Sequence, residues 1–125
     1  MIRTIYSILI TLAVILSLSL FEVHYVKTTF DQFRAQLCAV YEKSESQTAT
    51  YQDGTGLLSF WEHKKDWLHL WLPHTALQEV DYQLNEALGY LYLADYENVI
   101  PKLSVLINMS ENIPDSYSIR IQNIL

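Results

Sequence analysis

Eighteen consecutive residues, Thr4 to Phe21 (TIYSILITLAVILSLSLF), carry no charge and are bounded by Arg3 and Glu22. As a helix rising ~1.5 Å per residue they reach ~27 Å, close to the hydrocarbon thickness of a bilayer, so one span fits and two do not. Ile5, Ile8, Leu9, Ile10, Leu12 and the apolar residues that follow each favour the bilayer centre by roughly 0.3 to 0.6 kcal/mol. Together they outweigh the hydroxyl residues among them. Arg3 and the amino terminus lie before the stretch, which favours an amino terminus on the cytoplasmic side. The expected organisation is a cytoplasmic stub at 1–3, a transmembrane helix at 4–21 and an extracytoplasmic domain at 22–125.

A cleaved signal peptide is the rival reading, because Ser17 and Ser19 loosely mimic a processing site after an apolar core. It would release a secreted helical protein. A lipoprotein anchor fits worse, since the single cysteine, Cys38, lies well past the apolar run. Thr4, Ser7 and Thr11 share one face of the span, where small hydroxyl residues either admit a second transmembrane helix or bond to their own helix carbonyls.

Beyond Phe21 the chain carries 14 acidic against seven basic residues, a net of −7 with neutral histidines. That balance argues against nucleic acid and against docking on anionic lipid headgroups. One cysteine excludes an internal disulfide, and three glycines with three prolines are too few for the turns of an all-β chain. An all-α fold is therefore expected, an antiparallel bundle of three to four helices.

Val26, Phe30, Phe33, Leu37, Val40 and Ser44 alternate spacings of four and three, and nothing from Glu22 to Ser46 breaks a helix. The span and this seam should form one rod from near Ile5 to Ser46, with Cys38 a small buried residue upon it or, as the alternative, a site of intermolecular pairing. Gln47 to Gly56 (QTATYQDGTG) is small and polar, and Asp53-Gly54 signals a turn, so a loop is expected there. Leu57 to Leu72 gathers Leu57, Phe60, Trp61, Trp67, Leu68 and Trp71 on one helical face, the expected main core.

Pro73 should end that helix. Thr75 and Gln78 then read as a capping box, opening a helix whose inner face is Leu77, Val80, Leu84, Ala87, Leu88 and Leu91. Asp95 reads as the N-cap of a further helix with Val99, Leu103, Leu106 and Ile107 inward. Pro101 should bend it or delay its start to near Asn98, and Asn112, Ile113 and Pro114 should stop it. Ile119, Ile121, Ile124 and Leu125 suggest a short final helix packed back on the bundle.

The succession of Trp61, Trp67, Trp71 and His74, then Leu77, Val80 and Leu84, Asp95-Tyr96, Ile113-Pro114 and a closing Asn123-Ile124-Leu125 resembles a family of small bacterial membrane proteins, mainly of Gram-positive spore formers. That family is catalogued as domain of unknown function 4363. The likeness covers nearly the whole chain and departs from the family pattern at QTATYQDGTG, where members tend to carry a charged helix start with a tryptophan. It implies no established activity, and members often look like companions of small multi-span membrane proteins.

No residue pattern here points to catalysis, a cofactor or a metal, and the chain is expected not to be an enzyme. Glu62, Asp66 and His69 share a helix face and could grip a divalent ion, but His63 and His69 are six apart, not the four of a zinc-protease helix. A solvated face accounts for them. His74 is expected to bond backbone groups at the corner after Pro73, with a pH switch as the alternative. No serine sits in a nucleophile elbow, no glycine-rich loop precedes a helix, and Cys38 has no neighbouring base. The leading expectation is a non-catalytic accessory or interaction protein whose partners are the lipid bilayer and a multi-span membrane protein. The alternative is an extracytoplasmic sensor of a ligand or cation.

Overall fold

Of 44 residues from Ile2 to Glu45 none is glycine or proline, and in the computed structural model they form one continuous helix, α1, ~66 Å long. The structure describes residues 1–124, and the side chains of residues 1–117. Three more helices follow: α2 (Tyr51–Leu68), α3 (His74–Tyr92) and α4 (Tyr96–Ile124). Among the described residues there is no strand. The expected seam of α1 is the buried one: Val26, Phe30, Phe33, Leu37, Val40 and Ser44 all lie inside. The apolar first half behaves oppositely, with Ile5, Ile8, Leu9, Leu12, Leu16 and Leu20 all exposed.

α1 packs on α2 and α4, and α3 packs on the same two helices, so the second half of α1 and the other three close a four-helix ring. Side-chain contacts fix the directions. Lys43 of α1 meets Asp53 at the start of α2, and Tyr96 at the start of α4 donates to the carbonyl of Ala49, 2.7 Å away. Those residues mark the far end of the bundle. Tyr25, one turn beyond Phe21, packs edge-on against Trp71 in the α2–α3 connection, and the Tyr117 hydroxyl of α4 meets Glu22 at 3.2 Å. They mark the near end, beside the exposed half of α1. The helices therefore run up, down, up, down, with two connections at the far end and one, residues 69–73, at the near end.

The far-end turns show where local chemistry overrules composition. Gln47 and Ala94 adopt left-handed φ values of 59° and 53°, and each ends its helix with a paired recapture of orphan carbonyls. Thr48 N–H donates to Lys43 and Gln47 N–H to Ser44; Asp95 N–H donates to Tyr90 and Ala94 N–H to Leu91. These are Schellman stops without the usual glycine. The loop expected over Gln47 to Gly56 is accordingly short, and Asp53-Gly54 is not a turn. Thr50 caps α2: its hydroxyl accepts from Asp53 N–H at 3.3 Å while the Asp53 carboxylate accepts from Thr50 N–H at 2.9 Å.

This cap gives a testable pH dependence. The Thr50 backbone N–H holds the Asp53 carboxyl below its usual pKa against partial burial, and Lys43 adds to the effect. A lowered folded-state pKa stabilises above the unfolded value of ~3.9 and is lost as pH falls through the folded value. Thr50→Ala should cost about 1 kcal/mol at neutral pH. Asp53→Asn should be less stable than the natural chain at pH 7, and the gap should close below pH ~3.9 in urea melts followed by circular dichroism.

Other boundaries also differ from expectation. α2 ends at Leu68, four residues early, and residues 69–72 turn through successive i→i+3 and i→i+4 bonds. α3 begins at His74 with Pro73 as its cap, so Thr75 lies inside the first turn and makes no capping box. Pro73 keeps an extended backbone, ψ 141°, and its carbonyl accepts the first bonds of α3, from the N–H groups of Ala76 and Leu77. The inner face of α3 is as read: Leu77, Val80, Leu84, Ala87, Leu88 and Leu91 are buried.

α4 starts directly after Asp95 and runs through both Pro101 and Pro114 to Ile124, where a stop at Asn112 to Pro114 was expected. Each interior proline removes one ladder bond and costs ~3 kcal/mol in isolation. Here Val99, Leu103, Leu106, Ser110, Pro114 and Tyr117 recur every three or four residues as a buried stripe, and docking that stripe offsets the loss. The inward packing expected of Ile119, Ile121, Ile124 and Leu125 rests on side chains outside those the structure describes. Cys38 is exposed, not buried, because it stands one position past Leu37 and off the seam.

Candidate functional site

The aromatic core is built across three helices. Trp61 of α2 is fully buried, with its ring centroid 5.3 Å from Phe33 and 6.1 Å from Phe30 of α1, while Phe60 stacks on Phe33 at 6.0 Å. A buried indole N–H requires an acceptor, and Asp81 of α3 supplies it at 2.6 Å. The other Asp81 oxygen pairs with Lys65 at 3.3 Å. One carboxylate thus joins α2 to α3 and fixes the orientation of the largest core side chain. The tryptophan signalled a core, but Asp81 carries no sequence signal beyond its position one residue after the apolar Val80.

Not all indoles go inward. Trp67 is 59% exposed and Leu70 67%, while Trp71 is half-buried against Tyr25. The expected single face of Leu57 to Leu72 therefore splits: Leu57, Trp61 and Leu68 face the core, and Trp67 faces out. Helix geometry accounts for this: at ~100° per residue Trp67 stands roughly 120° round α2 from Trp61, whereas Leu57 and Leu68 stand within about 40° of it. His69 and His74 flank the turn and stack on each other, with centroids 5.4 Å apart and planes inclined by 24°. His74 thus finds an imidazole where backbone groups were expected.

Beside this corner, Leu72, Pro73, Ala76, Asn112, Ile113, Ser116 and Tyr117 line a mostly apolar cleft of about 210 Å³ between the α2–α3 connection and α4. Lys64 reaches toward the same end, its ammonium 5.9 Å from the Tyr25 ring and 5.8 Å from Phe60. A second, polar recess runs along α2 through Glu62, His63 and Asp66. His69 does not border it, and the His63 Nδ1 lies 2.8 Å from the Ser59 carbonyl. Among the described residues no group of three or more His, Cys, Asp or Glu side chains is arranged to hold a metal ion.

The far end carries a different surface. Tyr51 and Tyr92 meet edge-on at 5.5 Å and both are exposed, with Leu93 beside them. On the apolar half of α1, the Thr11 hydroxyl donates to the Ser7 carbonyl at 2.8 Å, so this member of the hydroxyl stripe is satisfied within its own helix.

A family model described as a domain of unknown function (DUF4363) matches residues 20–124. The chain belongs to the DUF4363 family. The match begins at the end of the apolar stretch and covers the remainder of α1 with all of α2, α3 and α4, so the DUF4363 domain is the four-helix ring. No curated protein and no solved structure matches the chain.

Proposed function

We propose that this protein is a non-catalytic, membrane-anchored interaction module. Thr4 to Phe21 spans the bilayer with its amino terminus in the cytoplasm, and the four-helix ring outside the cytoplasm engages a membrane partner. One observation carries the reading. A single helix has two opposite surfaces along its length: none of its most apolar 18-residue window is buried, while its second half supplies a side of the core. A row of exposed Ile and Leu residues that long is far larger than a soluble monomer leaves in water. Lipid is the solvent that satisfies it.

The bundle beyond has the features of a display domain. Its polar recess is open and lacks a converging set of ligating groups, and exposed aromatic residues stand at both ends, Trp67 at the near one and Tyr51 with Tyr92 at the far one. The far-end patch of Tyr51, Tyr92 and Leu93 is of the kind that marks protein contacts. The experiment is purification of the full chain from membranes in a gentle detergent after crosslinking, with amino-terminal sequencing of the product. A membrane companion at near-equal amount and an intact apolar segment are expected. Recovery of the chain alone, or of a product trimmed near Ser19, overturns the reading.

A further inference from the structure

We propose that the α2–α3 corner is a second membrane contact, with Trp67, Leu70 and Trp71 seated in the lipid headgroup region beside the emerging α1. This rests on the reading of Thr4 to Phe21 as a span.

Topology selects this corner. Of the three connections, it alone lies at the near end, and it reads His-Leu-Trp-Leu-Pro, whereas the α1–α2 connection at the far end reads Ser-Gln-Thr-Ala-Thr. Its height is fixed by contact: Trp71 packs on Tyr25, and Tyr25 lies one helical turn, ~5 Å, beyond Phe21, the last apolar residue of the span. Headgroup regions add roughly 5 to 8 Å to each side of the hydrocarbon. The corner therefore falls within that layer. Phe21, Tyr25 and Trp71 form a continuous aromatic chain from the rod to the corner, with Phe21 stacked on Tyr25 at 6.3 Å.

The chemistry fits the same layer. Indole rings have an apolar body and one N–H donor, and they concentrate where acyl chains give way to headgroups. Trp67 and Leu70 lack cover from the bundle, and the stacked His69–His74 pair and Lys64 place polar groups at the same end. Tyr6, also exposed, lies near the opposite end of the span, two residues inside Thr4. Lipid is favoured as the occupant over a second copy or a partner protein because the surface continues directly from the rod.

Site-directed spin labelling of the full chain tests this in vesicles of phosphatidylethanolamine and phosphatidylglycerol. Labels go at Leu70→Cys, Tyr92→Cys and Ile10→Cys in a Cys38→Ser background, all at exposed positions whose change leaves the core intact. The readout is accessibility to oxygen, which concentrates in lipid, against a water-soluble nickel chelate. The expected result is an oxygen-to-nickel ratio at Leu70→Cys several-fold above that at Tyr92→Cys and below that at Ile10→Cys. Equal ratios at Leu70→Cys and Tyr92→Cys, with Ile10→Cys in lipid, overturn the corner contact and leave the anchor standing. A label at Leu70→Cys shielded from both reagents shows protein cover and likewise overturns it. Nickel access at Ile10→Cys removes the anchor and the corner together.

Discussion

Trp61→Ala should destabilise the bundle by about 3 to 5 kcal/mol, a large share of the ~5 to 15 kcal/mol that holds a domain of this size together. The mutation empties the volume between Phe30 and Phe33 of α1 and leaves Asp81 to Lys65 alone. Its neighbours separate the packing from the hydrogen bond. Trp61→Phe keeps a ring and loses the donor, so its cost should be smaller than that of the alanine variant. Asp81→Ala keeps the ring and leaves the buried indole N–H without its acceptor, a loss of ~1 to 3 kcal/mol. Asp81→Asn retains an acceptor oxygen and should fall closest to the natural chain. Urea midpoints of the detergent-solubilised protein, read by circular dichroism, rank the four. A Trp61→Ala midpoint equal to that of Asp81→Ala would show that the indole ring adds nothing beyond its hydrogen bond.

The second large effect is at Gly54, in the first turn of α2. A Cβ built there lies 2.8 Å from the Leu91 Cδ1 and 3.2 Å from the Leu88 Cγ of α3, so the missing side chain is what lets the two helices close at the far end. Gly54→Val should cost ~1 to 3 kcal/mol through overpacking, with the branched carbon pressed on Leu88. Gly54→Ala meets mainly the movable tip of Leu91, and its strain is offset by a helix-propensity gain of up to ~1 kcal/mol. Gly56, two residues on, has nothing within 4 Å of its added Cβ. Gly56→Ala should therefore stabilise by ~1 kcal/mol. Opposite signs at two glycines of one helix turn, measured in the same urea melts, are the signature of a close approach at Gly54.

These two residues also show what could be read from the chain. Periodic burial was legible: the α1 seam and the α3 inner face come directly from apolar residues spaced by three and four, and both are buried as read. Boundaries were less legible, because their chemistry is written in unexpected residues. Gln47 and Ala94 take the left-handed position where a glycine would have signalled a stop, and Gly54, which suggested a turn, is a contact point inside a helix. Pro114 suggested a stop and is instead part of the buried stripe of α4, since tertiary packing outweighs a local breaker.

The pairing of Trp61 with Asp81 could not be read from one helix wheel, because it depends on which helix lies opposite, information held in residues distant in sequence. The outward place of Trp67, roughly 120° round the helix from Trp61, was legible from the spacing alone. The hydroxyl stripe of the apolar half was ambiguous for a related reason. Thr11 has an acceptor within its own helix, and only the three-dimensional ladder shows that it uses it.

The unbroken path of α1 has a mechanical corollary. With no glycine or proline between Ile2 and Glu45, the rod would act, on the proposed span, as a lever with its fulcrum near Glu22 and a long arm of ~36 Å to the far tip. A change in inclination of ~20° at the lower arm, an ordinary angle for a lone helix in lipid, would sweep that tip through ~12 Å. Bilayer thickness or a neighbour's crowding would thus be translated into the reach of the tyrosines at the summit.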